Sequence, residues 1–276
     1  MKRIWMGVAL ALMAQAAFAA VQYEFIQSSR SDSDHVPPMD FSARAVIDGP
    51  RSRVEFVSGN AYPPGTYVVS KDGARKLLFV DPTQKSYTEV NTMTIASAIG
   101  MSNITIKNLK SSVAKLDDQV IVASIPADHY RLTLTFDITV TFKNRSVTQS
   151  VRTEIDKWTT VRFAEAADAI SAQTLTTGNE EIDKLIAAET TKISGFPLKQ
   201  SIRMTAINSS AGRPAKSELK VPNAVTLTRE MTVTSIRETQ PDEAIFTVPA
   251  GYSRSEFASR VPKAPTQVLS LEPSSE

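Results

Sequence analysis

From His129 to Lys143 the chain alternates without a break. Tyr130, Leu132, Leu134, Phe136, Ile138, Val140 and Phe142 are apolar, and every residue between them, from Arg131 to Thr141, is polar or charged. Strict period two puts one set on each side of an extended strand. Such a strand spans about 45 Å at roughly 3.4 Å per residue, too long for a flat compact core, so it belongs to a curved antiparallel sheet with one wet face. A second strand is predicted over Ser146–Trp158, with Val147, Val151 and Ile155 on one side. Asn144 and Arg145 join the two as a long hairpin.

Shorter pieces repeat the pattern. Phe41, Ala43, Ala45 and Ile47 alternate with polar residues, Gly49-Pro50 turns the chain into Arg51–Val57, and Lys71-Asp72-Gly73 separates Tyr67–Val69 from Leu77–Val80 as a second hairpin. Asp81-Pro82 leads into Lys85–Val90, and further strands are expected at Leu198–Ala206, Val225–Ile236 and Ala244–Val248. Leu77–Val80 is apolar on both faces, so something must cover its outer side. Helices over Asn91–Ile99 and Asn179–Ile193 fit that need, with Ala164–Ala172 as a third; Gly100 and Gly195 end the first two. The fold class is mainly β with short helices.

Met1–Ala19 carries the parts of an export signal: Lys2 and Arg3, an apolar run from Ile4 to Ala14, and Ala17-Phe18-Ala19 as a cleavage site. Cleavage near Ala19 would deliver a periplasmic chain of 276 − 19 = 257 residues. Removing Lys2 and Arg3 takes the formal charge from 31 − 29 = +2 to 29 − 29 = 0. A neutral chain without like-charge blocks gives no reason to expect nucleic acid or an anionic membrane surface as a partner. No transmembrane segment is expected in the mature chain. The absence of cysteine excludes disulfide frameworks, thiolate metal sites, cysteine nucleophiles and lipid attachment after the cleavage site. Residues 20–252 are expected to form a single domain, with residues 253–276, rich in Pro and Ser, as a flexible tail.

The candidates for chemistry are few. His35, beside Asp32, Ser33 and Asp34 and near Asp40, offers oxygen and imidazole donors to a cation, but the spacing matches no metal loop and reads as a connection between strands. His129 falls on the polar side of the long strand and is expected to be exposed. Ser112-Val113-Ala114-Lys115 matches a Ser-x-x-Lys pattern without the Lys-Thr-Gly strand that its chemistry needs. Glu154 and Asp156 share one face of a strand, the usual look of a wet surface. Gly-x-Ser-x-Gly, His-Glu-x-x-His, Gly-x-Gly-x-x-Gly and P-loop patterns are all missing. The sequence thus gives no catalytic, cofactor or metal residue, and the expectation is a protein that is not an enzyme.

Pro64–Gly73, Leu78–Pro82 followed by Tyr87, Gly195–Lys199 and the closing Phe246–Tyr252 are strand-and-turn motifs spread over Tyr23–Tyr252. In these the chain resembles a bacterial exported family of unknown function, similar to the periplasmic lipoprotein carrier and outer-membrane lipoprotein-receptor (LolA/LolB-like) fold. The resemblance implies an unclosed β-barrel covered by helices and binding of an apolar ligand, a lipid or the acyl chains of a lipoprotein. Tyr130, Leu132, Leu134, Phe136, Ile138, Val140 and Phe142 would then line the concave face. Arg44, Arg51 and Arg53 are all candidate counterparts of the carriers' functional polar residue. The alternative is a solid barrel that contacts another cell-envelope protein.

Overall fold

The computed structural model describes residues 20–33, 36–73, 75–91, 104–142, 145–164, 166–167, 180–208 and 224–255. Within these, twelve strands form one unclosed sheet. They are β1 (Ala20–Ser31), β2 (Met39–Asp48), β3 (Arg51–Gly59), β4 (Tyr67–Ser70), β5 (Lys76–Asp81), β6 (Ser86–Asn91), β7 (Ile104–Val122), β8 (Ile125–Phe142), β9 (Arg145–Thr160), β10 (Phe196–Asn208), β11 (Ala224–Thr239) and β12 (Ser253–Ser255). Their spatial order is β12-β6-β5-β4-β3-β2-β1-β11-β10-β9-β8-β7. Neighbours in the sheet are consecutive in the chain except where β1 meets β11 and where β12 joins β6, so β6 and β7 lie towards opposite edges; β12 alone pairs in parallel.

The predicted central hairpin is present: β8 pairs with β9 from Asp128↔Thr159 to Phe142↔Arg145. The sheet curls because bulges interrupt several ladders, at Glu24/Phe25, Ser42/Ala43, Pro197/Lys199, Lys107/Lys110 and Leu116/Val120. Each bulge adds one residue on one strand, two at Leu116/Val120, and sharpens the local twist. Strand β7 meets β11 although β10, β9 and β8 lie between them in the sheet. That contact defines the concave side. There the tip of the β7–β8 hairpin adds Val122, Ile125 and Ala127 to a cluster with Val21, Ile47, Phe163, Phe196, Leu198 and Val233. A second cluster on the same side joins Phe41, Ala43 and Phe56, with Tyr62 stacked on Phe56 at 3.9 Å.

The opposite face is apolar only across β2 and β4–β6. Val46, Tyr67, Val69 and Val80 are buried there under Phe246, with Ile245, Val248 and Tyr252 packed around them. The sequence reading assigned this cover to earlier helices, and a strand to Ala244–Val248. Instead Glu243–Phe246 is a 3-10 helix, started by Asp242, whose side chain accepts the Ala244 amide at 2.9 Å. Ser253–Ser255, expected to begin a loose tail, forms β12, with Ser255 Oγ and Thr88 Oγ1 at 2.8 Å. A backbone amide at a sheet edge is satisfied more readily by pairing than by leaving the surface.

The Glu180–Thr190 helix agrees with the expected one and packs on β7. Ala164, Ala166 and Ala167 are helical, as the start of the third predicted helix requires, and the last two are buried. Residues 92–99, and the signal segment Met1–Ala19, lie outside the described residues. Strand β1 was not anticipated, and the sequence left the stretch around Ser112, which lies in β7, between strand and loop.

Gly195 joins the helical segment to β10 at φ +94°, and a Cβ there would lie 2.6 Å from the Thr160 carbonyl oxygen. Gly195→Ala is therefore expected to destabilise the protein by at least about 2 kcal/mol, from the positive φ together with the clash, measured as a lowered urea midpoint. Phe246→Ala removes the side chain that seals the outer cluster and is expected to cost about 3–5 kcal/mol, read from the same denaturation curves.

Candidate functional site

Directly paired residues on neighbouring strands share a face, so the ladders give the lining of the concave side in rows. One row runs Phe41, Gln27, Met231, Gln200, Lys157, Tyr130 and Lys115. The next runs Arg229, Ile202, Ile155, Leu132 and Val113, and beyond it lie Leu227, Met204, Thr153 and Leu134. A further row holds Val225, Ala206, Val151 and Phe136. The central alternation thus faces inward as one set with the β9–β11 residues that oppose it.

Burial grades along this face. Tyr130, Leu132 and Leu134 are buried, the latter two at 1% and 6% exposure, whereas Phe136 and Ile138 are half-buried. The side chains of Val140 and Phe142 lie outside the described residues. On the neighbouring strands Ile155, Ile202 and Leu227 are half-buried, and Met204 is 37% exposed. An apolar strip therefore stays open beside the part of β8 that is closed.

Two lysines stand on this concave side. Lys115 is neutralised: its Nζ donates to Asp128 Oδ2 at 2.8 Å and lies 5.7 Å from the Tyr130 ring centre. Gln119 Nε2 also donates to Asp128, at 3.0 Å. Lys157 has no hydrogen-bond or ion-pair partner among the described residues, and burial pushes the pKa of its ammonium below the usual lysine value. Sequence reasoning missed it, although its parity with Val151 and Ile155 was the available signal.

His129 is the main correction. It is buried rather than exposed, at 4%. Its ring stacks on Trp158 with centroids 4.2 Å apart, its Nδ1 lies 2.8 Å from Asp118 Oδ1, and its Nε2 lies 2.9 Å from Asp156 Oδ1. The bulge between Leu116 and Val120 contains Asp118, which no pairing pattern would place over β8. Arg131 completes the cluster, donating from Nε to Asp156 Oδ1 at 2.7 Å and from Nη2 to Oδ2 at 3.1 Å. Burial opposes ionisation of Asp156, but the hydrogen bonds from Arg131 and His129 outweigh it and hold the pKa below the usual carboxylate range. Trp158 Nε1 is buried and unpaired among the described residues, and Lys199 Nζ sits 4.6 Å from the Trp158 ring centre.

The remaining sequence candidates are separated or occupied. Ser112 is paired opposite Thr133 and Lys115 opposite Tyr130, so the two point to opposite faces and cannot exchange a proton. Glu154 accepts from Arg152 at 2.7 Å and is not joined to Asp156. Asp40 is held by both Arg30 guanidinium nitrogens, at 2.6 and 2.8 Å, and Asp32 accepts the Thr226 amide at 2.8 Å. His35 lies outside the described residues. Arg44, Arg51 and Arg53 all lie on the convex face. Arg44 pairs with Glu24, Arg51 with Asp48 and Glu243, and Arg53 with Glu55, and Arg53 also stacks 3.6 Å from the Tyr67 ring centre. Two shallow depressions, of about 280 and 350 Å³, also open on the convex side. Both mix polar and apolar side chains, Asp137, Ser150 and Arg152 with Ile207 in one, and Ser28, Asp40 and Ser42 with Ile26 in the other.

Asp156→Asn should destabilise the protein by about 2 kcal/mol at pH 7, since it weakens the hydrogen bonds that the Arg131 guanidinium and the His129 ring make to this carboxylate. A carboxylate whose folded pKa is depressed stabilises above its unfolded value of about 3.9. The wild-type advantage should therefore hold at neutral pH and vanish as acid carries the solution down through the lowered folded value, as measured by denaturation at a series of pH values.

No family model matches the sequence, and no curated protein matches it. Among solved structures, an uncharacterised conserved protein from Thermus thermophilus aligns at TM-score 0.35 and 9% identity, covering 87% of this chain and 91% of that one. A LolA superfamily protein from Nitrosomonas europaea aligns at TM-score 0.31 and 11% identity, covering 83% and 90%. Both alignments are at low identity.

Proposed function

We propose that this chain is an exported, periplasmic binding protein without enzymatic activity, which holds an apolar ligand, a lipid or a lipoprotein acyl chain, against the concave face of its half-barrel. One observation carries the reading: the apolar cross-strand rows do not end where the cover ends. Leu132 and Leu134 are closed off, while Ile155, Ile202, Leu227, Phe136 and the exposed Met204 continue the same surface. Apolar area left in water costs roughly 25 cal/mol per Å². A ligand chain laid on the strip recovers that energy without rearranging the sheet. Export is supported by the Lys2-Arg3, apolar and Ala-x-Ala order of the first residues. Among the described residues no helix is long and apolar enough to cross a membrane.

Met204→Glu places a charge on the strip at a position already in contact with water, so the fold should survive. Binding of the apolar fluorophore N-phenyl-1-naphthylamine is expected to weaken at least about tenfold, because a carboxylate resists burial beside the probe, with an unchanged circular dichroism spectrum. Equal binding by wild type and variant would sink the concave strip as the site. Mass spectrometry of organic extracts from natively purified protein supplies the second check, with co-purifying lipid as the expected result.

A further inference from the structure

An apolar strip needs only apolar side chains, yet this one ends on a cation. Lys157 occupies the row between Tyr130 and Gln200, and the next residues inward along the same faces are Leu132, Ile155 and Ile202. The charged groups nearest in the ladder are already engaged: Asp128 by Lys115 and Gln119, and Asp156, on the opposite face, by Arg131 and His129. On the helical side Glu189 is taken by Lys192, at 2.8 Å. Lys157 is left half-buried without a counter-ion among the described residues. A buried charge is retained at a cost unless something pairs with it, and here the missing partner is an anion that arrives with the ligand.

We infer that the ligand is an anionic amphiphile, whose carboxylate or phosphate head group pairs with Lys157 Nζ while its chain runs along Ile155, Ile202 and Met204 towards the open end. The inference rests on the concave-face reading above and adds the ligand's polarity and direction to it. Lys157 and Val151, six residues apart on β9, are separated by about 20 Å at roughly 3.4 Å per residue, a run that suits an extended acyl chain. Strand β10 carries Ile202 and Met204 beside this path.

The test displaces N-phenyl-1-naphthylamine from the full chain with three probes of equal length: dodecanoate, dodecyl phosphate and the neutral 1-dodecanol. The wild-type protein should bind at least one of the two anions about tenfold or more tightly than the alcohol, the difference expected of one charge-assisted contact in a partly buried site. The better anion identifies the head group. Lys157→Met keeps the length of the side chain and should level the anion with the alcohol, whereas Lys157→Arg should retain the preference. Thermal unfolding is a control that binding does not enter: Lys157→Met should melt no lower than wild type, because it removes an unpaired charge. An anion preference that survives Lys157→Met, or equal binding of all three probes by wild type, overturns the inference and leaves the apolar strip standing. A lower melting point for Lys157→Met also overturns it, by assigning the lysine a structural role. If wild type binds the fluorophore but none of the probes displaces it, the inference falls alone; if it binds neither fluorophore nor probes, the concave-face reading falls with it.

Discussion

The contact between the tip of the β7–β8 hairpin and the first strands of the sheet holds this architecture in its curled form. Val122, Ile125 and Ala127 of β7 and β8 meet Val21, Ile47, Phe196, Leu198 and Val233 of β1, β2, β10 and β11 across the curl of the twelve-stranded sheet. Neighbouring strands twist by about 20–25° relative to one another whatever their sequence, but twist alone leaves an open propeller. Bulges supply the bending, and the cluster at the tip captures it. Phe196 packs edge-on against both Tyr23 and Phe163, so the segment leaving β9 and the segment entering β10 are fastened at the same point. Gly195 stands next to that point because the backbone passes Thr160 too closely for a Cβ.

A sheet that bends without closing keeps two edges and two faces, and each is managed differently. At one edge β6 is partly covered by the three residues of β12. At the other, β7 is broken by two irregularities in register and carries Lys107, Lys110 and Lys115. Bulges and lysines are the usual guards against addition of a foreign strand, which weakens the alternative of an interaction module working through that edge. The convex face is wet where it carries ion pairs and apolar only under the Glu243–Tyr252 segment, where Phe246 is buried. Arg51 lies 5.0 Å from the Phe246 ring centre, so two arginines of the convex face help clamp the chain's return. Their task there is structural, which leaves the concave face with a different cation.

Much of the fold was legible because the alternation of β8 and β9 is uninterrupted, and parity is all that period-two reading requires. Strand β7 was hidden by its own bulges: the step at Lys107/Lys110 shifts the parity and the one at Leu116/Val120 interposes two extra residues, so no single alternation spans the strand. The same bulge concealed the environment of His129. On β8 its parity is polar, and it does face the convex side, but Asp118 and Trp158 close over it from two neighbouring strands. Ala244–Val248 read as a strand because apolar residues recur in it. The Asp242 cap, which turns it into a 3-10 helix, has meaning only once the outer cluster exists for Phe246 to fill. Which side chains of β8 and β9 share a face followed from parity alone; which of them stay open depends on where the helical cover reaches, and that is a tertiary property.

The lysines show how position in the ladder decides what a charge can do. Lys199 is spent over the Trp158 ring and Lys115 on Asp128, and both are explained within the chain. Lys157 differs by belonging to the apolar parity of β9, a placement in which desolvation penalises the charged form and no neighbour among the described residues compensates. A protein that needed only a packed barrel would be better served by Leu or Met there, since replacing buried charge by apolar bulk is often neutral or stabilising. The charge makes physical sense if the space it faces is at times filled by something negative. An open apolar strip and an uncompensated cation at its end are then two parts of one site, and a neutral hydrocarbon would satisfy only the first.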